Sequence, residues 1–150
     1  HDVCIQISAE IKSKEIVNCE IISDDKIKSH ILQKSVFAVT KSGTVSLEIC
    51  KAKVPSIILY KMNFINFLII RILVKIKFAN IINIAAKEEI IPELLQSNCN
   101  SKNIFKHVSE YIENPQIIKE QVDKTQLILN RFKTTKSSAA QASIALNKYL

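Results

Sequence analysis

Two largely apolar runs, VFAVT at 36–40 and PSIILY at 55–60, flank a segment with helical patterning, TVSLEICKAK at 44–53. Short apolar runs without polar alternation suit strands buried on both faces, as in parallel sheets. Between them, Val45, Leu47, Ile49 and Cys50 supply the apolar positions of a helix. The joints are two to four residues long. This strand–helix–strand unit predicts an α/β fold, a parallel sheet with helices on its faces.

The flanking segments are read in the same way. IVNCEII, 16–22, predicts a short strand. SDDKIKSHILQKS, 23–35, predicts a helix capped by Ser23 or Asp24, with Ile27, Ile31 and Leu32 on its apolar side. ANIINIAA, 79–86, reads as strand and loop, and EEIIPELLQSN, 88–98, as a short helix with Pro92 in its first turn. Two longer helices are expected at 101–114, capped by Ser101, and at 115–133, opened by Pro115. A stretch of small residues at 134–143 leads into a last helix, so that 134–150 forms a helical C-terminal segment.

NFINFLIIRILVKIKF, 63–78, places Ile65, Leu68, Ile69, Ile72, Leu73 and Ile76 on one helical arc. Asn63, Asn66, Arg71, Lys75 and Lys77 share the other half with Phe64, Phe67 and Phe78. The uncharged run from Met62 to Ile70 is far shorter than the roughly 18–20 residues of a membrane span. The helix therefore packs on a sheet and a neighbouring domain, or rests on a membrane surface.

A chain of 150 residues with 47% hydrophobic residues can bury a core, and whole-chain disorder is excluded. The net charge of +7 favours anionic partners, but heavy use of Ile, Lys and Asn throughout inflates it. No Lys/Arg run forms a nucleic-acid arm and aromatics are only 6%, so nucleic acid is not expected as a partner. Cys4, Cys19, Cys50 and Cys99 are far apart, as are His1, His30 and His107. No metal site is expected, and four lone thiols suit a reducing cytosol. The chain opens HDVC, without an initiator Met or the shape of a signal peptide, as the interior of a longer reading frame would.

Gly43 is the only glycine. It falls between the expected strand ending at Thr40 and the helix starting at Thr44. A turn there puts main-chain N–H groups at a helix N-terminus beside the carboxyl edge of the sheet, where α/β folds bind anions. Gly43 can take a positive φ or admit a ligand close to the backbone. Ser42 and Thr44 add hydroxyls, and the Glu48 carboxylate, one turn on, can accept from the two hydroxyls of a ribose. The same S-G-T also reads as a plain turn with an N-cap. It is neither a Walker loop nor G-x-G-x-x-G.

Five segments in order and spacing resemble the lipid-A-disaccharide synthase family: SGTVSLE at 42–48, YKMN at 60–63, RILVK at 71–75, IIN at 81–83 and EEIIPELLQ at 88–96. The family patterns are S-G-T-x-x-L-E, Y-R-x-N, R-x-L-V-K, P-N-L-L-A-G-R-E and V-P-E-L-L-Q. The resemblance runs over about 16–150, including the A-A-x-A segment at 139–142. It implies residues 1–150 as one partial domain, the Rossmann-like C-terminal, donor-binding half of a GT-B glycosyltransferase. The family transfers 2,3-diacylglucosamine from its UDP derivative to 2,3-diacylglucosamine 1-phosphate at the cytosolic face of the inner membrane. The facing N-terminal half, which supplies acceptor contacts and the proposed catalytic carboxylate, is not represented in these residues.

Carried over, the resemblance implies a UDP-sugar site with the pyrophosphate at Ser42, Gly43 and Thr44 and the ribose at Glu48. Asn83, Glu89 and Gln96 line the cleft, and no cofactor or metal is implied. The expected partners are the UDP-sugar donor, the acylated glucosamine phosphate acceptor, the missing half and the membrane surface, which the chain meets peripherally from the cytoplasm. The sequence departs from the family at Lys41, where a small residue is usual. Phe64 and Ile82 replace prolines, and Lys87–Glu88 replaces Gly-Arg. Two other readings stand beside this one: a non-catalytic truncated remnant, and a generic α/β nucleotide-binding or interaction module.

Overall fold

The computed structural model describes residues 2–63, 67, 77–133 and 138–147. They group into two compact units, 1–34 and 35–150.

The first unit holds two helices, α1 (Asp2–Ser13) and α2 (Asp25–Lys34). Helix α1 ends in a left-handed turn: Glu15 takes φ 51°, and the Ile16 amide reaches back 3.1 Å to the Ile11 carbonyl. Helix α2 is capped by Asp24, whose Oδ1 accepts from the amides of Lys26 (2.8 Å) and Ile27 (3.0 Å). The strand expected at 16–22 does not form. Asn18 breaks the run with φ 59°, and Val17 is 79% exposed. A β-branched run without a strand to pair with has no ladder to join.

In the second unit, β1 (Ala38–Lys41), α3 (Thr44–Lys51) and β2 (Ser56–Tyr60) realise the strand–helix–strand unit read from the sequence. Next come α4 (Ile81–Ala86), β3 (Glu93–Leu95), a 3-10 turn (Gln96–Asn98), α5 (Ser101–Glu113), α6 (Pro115–Phe132) and α7 (Ser138–Leu146). The three strands form one parallel sheet in the order β1-β2-β3. The fold is α/β, as expected. The expected helix over 63–78, including RILVK at 71–75, falls almost wholly outside the described residues, as does 134–137.

Two segments differ in kind from the sequence reading. Residues 81–86 are a helix, not strand and loop. Asn80 caps it, with Oδ1 accepting from the Ile82 amide at 2.9 Å, and Ile82, Ala85 and Ala86 meet the core at helical spacing. Six residues rich in β-branched Ile show too little of the 3.6 period to be told from a strand. Residues 93–95 are a strand, not a helix. Pro92 disfavours helical backbone before it, and its carbonyl accepts from the Ile58 amide at 2.9 Å, which starts the pairing with β2. The cap of α5 is Asn100, one residue ahead of Ser101: its Oδ1 accepts from the Asn103 amide at 2.9 Å.

Cys50, Ile58, Ile82, Ile90, Ile91 and Ile128 form the core, with Leu47, Ala85, Ala86 and Leu129 packed on its margin. Burial pushes the Cys50 thiol up to about 11, so it stays protonated and inert. Helices α3, α4 and α5 all pack on α6.

Strand β3 is too short to pair with all of β2. It meets Ile58 to Tyr60 and leaves the main chain of Ser56 without a strand partner on that side. Gln121 of α6 substitutes for one. Its Oε1 accepts from the Ser56 amide (2.7 Å), and its Nε2 donates to the Ser56 carbonyl (3.0 Å) and to the Tyr111 hydroxyl (2.8 Å). Burial, reinforced by the Glu110 charge, pushes the Tyr111 phenol up to about 12. Gln121→Ala leaves both main-chain groups of Ser56 buried and unpaired. It should lower stability by about 2–3 kcal/mol, seen as a lower urea midpoint with an unchanged slope.

Candidate functional site

The candidate site is built where β1 runs into α3. Lys41 ends the strand, Ser42 and Gly43 turn, and Thr44 opens the helix. Gly43 adopts φ 151° and ψ −163°. This conformation is essentially reserved for glycine, because a Cβ there strains the backbone whatever the space around it. The space is open: among the described residues, nothing beyond its chain neighbours lies within 4 Å of where a Cβ would stand. Among the described residues, no side chain caps α3. Among the described residues, the turn therefore offers a helix N-terminus with open space beside Gly43, an electrostatic setting that suits an anion.

The turn is tied to residues 79–80. The Ser42 hydroxyl donates to the Ala79 carbonyl at 2.8 Å. Ser46 is buried and donates through Oγ to the Gly43 carbonyl at 2.6 Å, while accepting from Asn80 Nδ2 at 3.0 Å. The Ser42 proton expected to serve a ligand is thus engaged within the fold. Thr44 is exposed at the start of α3, and Glu48 is exposed one turn further on. Lys41 Nζ lies 5.1 Å from the centre of the Tyr60 ring, bringing a cation to the same carboxyl edge of the sheet.

Asn83, Glu89 and Gln96 serve different places. Asn83 is fully buried. Its Oδ1 accepts from the amides of Ile90 and Ile91, both at 2.9 Å, and its Nδ2 donates to the Ile91 carbonyl (2.7 Å) and Glu93 Oε1 (2.8 Å). That uses the full bonding capacity of the amide, so Asn83 shapes the loop before β3 and presents nothing outward. Glu89 is exposed and accepts from the Glu93 amide at 3.1 Å. Gln96 sits at φ 51° and pairs with Met62, accepting from its amide (2.8 Å) and donating to its carbonyl (3.1 Å). It continues the edge of β2 past the end of β3. Among the described residues, no hydrogen bond joins Gln96 to the glycine turn.

Sequence reasoning missed Ser46, Asn80 and Glu93. Ser46 lies inside SGTVSLE and Glu93 inside EEIIPELLQ, but nothing along the chain marks them as partners. Lys87, where the family has glycine, caps α4 in the left-handed region at φ 58°. Glu88 pairs with Lys124 and holds its ammonium above the usual range.

The family model for "Lipid-A-disaccharide synthetase" matches residues 3–147. The chain belongs to this family. It is 41% identical over 109 residues to the lipid-A-disaccharide synthase of Rickettsia bellii (strain OSU 85-389), a match covering 73% of this chain and 28% of the relative. The Rickettsia felis synthase is 40% identical over 111 residues, covering 74% and 28%. The Rickettsia prowazekii synthase is 40% identical over 114 residues, covering 76% and 30%. The matched part of the chain thus spans less than a third of each of these synthases.

Two substitutions at this site should act with opposite sign. Gly43→Ala should cost about 1–3 kcal/mol through backbone strain alone. Lys87→Gly should gain about 0.5–1 kcal/mol by relieving a left-handed residue, less the extra chain entropy of glycine. Paired thermal melts of the two variants check both.

Proposed function

We propose that this chain is the donor-binding, C-terminal part of a lipid-A-disaccharide synthase of the GT-B fold. The full enzyme would transfer 2,3-diacylglucosamine from UDP-2,3-diacylglucosamine to 2,3-diacylglucosamine 1-phosphate. Family membership supports the activity class. The single observation that carries the site is the strained, open Gly43 at the uncapped start of α3.

In this reading the amides around Ser42, Gly43 and Thr44 receive the pyrophosphate. UDP departs as an anion, and a preorganised helix end stabilises that charge as it develops. Glu48 accepts from the ribose hydroxyls, and Lys41 adds a cation at the same edge. Ser42 acts through the Ala79 bond that holds the turn rather than through its hydroxyl on the phosphate. Asn83 and Gln96 act the same way, holding the loops around the site. Glu89 is exposed in the loop before β3, where it can face the donor.

The acceptor contacts and the catalytic carboxylate belong to the facing half, so these 150 residues alone should bind the donor nucleotide without turning it over. Among the described residues no helix is long and apolar enough to cross a membrane. The acylated substrates point to peripheral contact with the cytosolic face of the inner membrane. One observation favours the non-catalytic alternative: Glu88 and Lys124 occupy each other where the family carries a cation.

Calorimetry with UDP tests the reading. Saturable binding that Glu48→Ala weakens about tenfold, as expected on losing hydrogen bonds to a charged acceptor, would support it. A folded chain that releases no heat with UDP would remove it.

A further inference from the structure

The glycine turn is held by residues 79–80, and those residues are held in turn by Glu93. Its Oε2 accepts from the Ala79 amide at 2.7 Å, and its Oε1 accepts from the Asn80 amide at 2.9 Å and Asn83 Nδ2 at 2.8 Å. From there two bonds run to the turn. The Ala79 carbonyl takes the Ser42 hydroxyl, and Asn80 Nδ2 reaches Ser46 Oγ, which donates to the Gly43 carbonyl.

We propose that Glu93 is a positioning residue for the phosphate turn, setting the Ser42–Gly43 conformation through the main chain of residues 79–80. The proposal rests on the donor-site reading above and extends it to a residue on a different strand.

The geometry calls for a side chain that only accepts. Three N–H donors converge on one side chain, and only a carboxylate offers acceptors alone on both of its oxygens. Such charge-assisted bonds are stronger than neutral ones. Glutamine has the same size but turns an NH2 group toward one of these donors. If its oxygen keeps the Asn80 and Asn83 bonds, its nitrogen confronts the Ala79 amide. Ala79 is the residue whose carbonyl anchors Ser42, so the disturbance falls on the turn itself.

The lone glycine provides a direct readout, because Gly43 gives the one glycine amide resonance of the chain. In Glu93→Gln without ligand, that resonance should move or split. The UDP concentration for half-saturation should rise about tenfold, the equivalent of about 1.4 kcal/mol. Ile128→Val, which loosens the core by one methyl, controls for general destabilisation and should leave the Gly43 resonance in place. A folded Glu93→Gln variant whose ligand-free Gly43 resonance coincides with the wild type overturns the proposal. Should that variant fail to fold, Glu93→Asp takes its place: it keeps the charge but withdraws it by one methylene, and an unmoved Gly43 is again fatal. If UDP leaves the wild-type Gly43 resonance unchanged, the donor-site reading fails separately, and the ligand-free comparison still decides the positioning role.

Discussion

A sheet of three short strands exposes more main-chain polar groups than its ladders can pair, and buried groups left unpaired are costly. This protein meets that constraint with side chains. Along one edge of β2 and the residues that follow it, Ser56 is paired by the Gln121 amide, Ile58 by Pro92 just ahead of β3, and Met62 by the Gln96 amide. The residues alternate, so their polar groups face the same side of the strand. Asn83 and Glu93 do for the loops what the glutamines do for the strand. Without these four side chains, the sheet would end in orphaned groups at both ends and the turn at Gly43 would have no frame.

The sparing use of glycine becomes intelligible on the same terms. Glu15, Lys53 and Lys87 stand in the left-handed region after α1, α3 and α4, places where glycine is the usual choice. Such positions tolerate other residues at a cost of about 1–2 kcal/mol. The conformation of Gly43 is more restrictive, costing any other residue about 1–3 kcal/mol. These helix ends do without glycine, and the one glycine stands at the described turn whose backbone lies in the region essentially reserved for it. This turn also opens a helix with no side-chain cap among the described residues, at the carboxyl edge of a parallel sheet, a setting that suits an anion.

The candidate site consequently has two layers. Gly43, Thr44, Glu48 and Lys41 stand at or near the surface, where a ligand can reach them. Ser42, Ser46, Asn80, Asn83 and Glu93 spend their polar groups on one another and on main chain. The motif residues thus divide into those that stand at the surface and those whose polar groups are engaged within the fold. Only bond-by-bond geometry separates them.

The parallel strand–helix–strand core, the long helices α5 and α6, and the glycine turn were all legible in the sequence. Apolar runs, 3.6-residue spacing and a lone glycine are local signals, set by backbone sterics and burial. The sequence also carried the family, through motifs in register. Residues 81–86 and 93–95 were not legible, because a six-residue helix shows too little period and a three-residue strand exists only by pairing with β2. Neither was the burial of Asn83 nor the convergence of donors on Glu93, which join residues distant along the chain. Local chemistry by itself determined which segments could be strand, helix and turn. The tertiary structure alone decided which polar side chains complete the backbone and which stand at the surface, because that depends on which unpaired groups the packing brings within hydrogen-bonding reach.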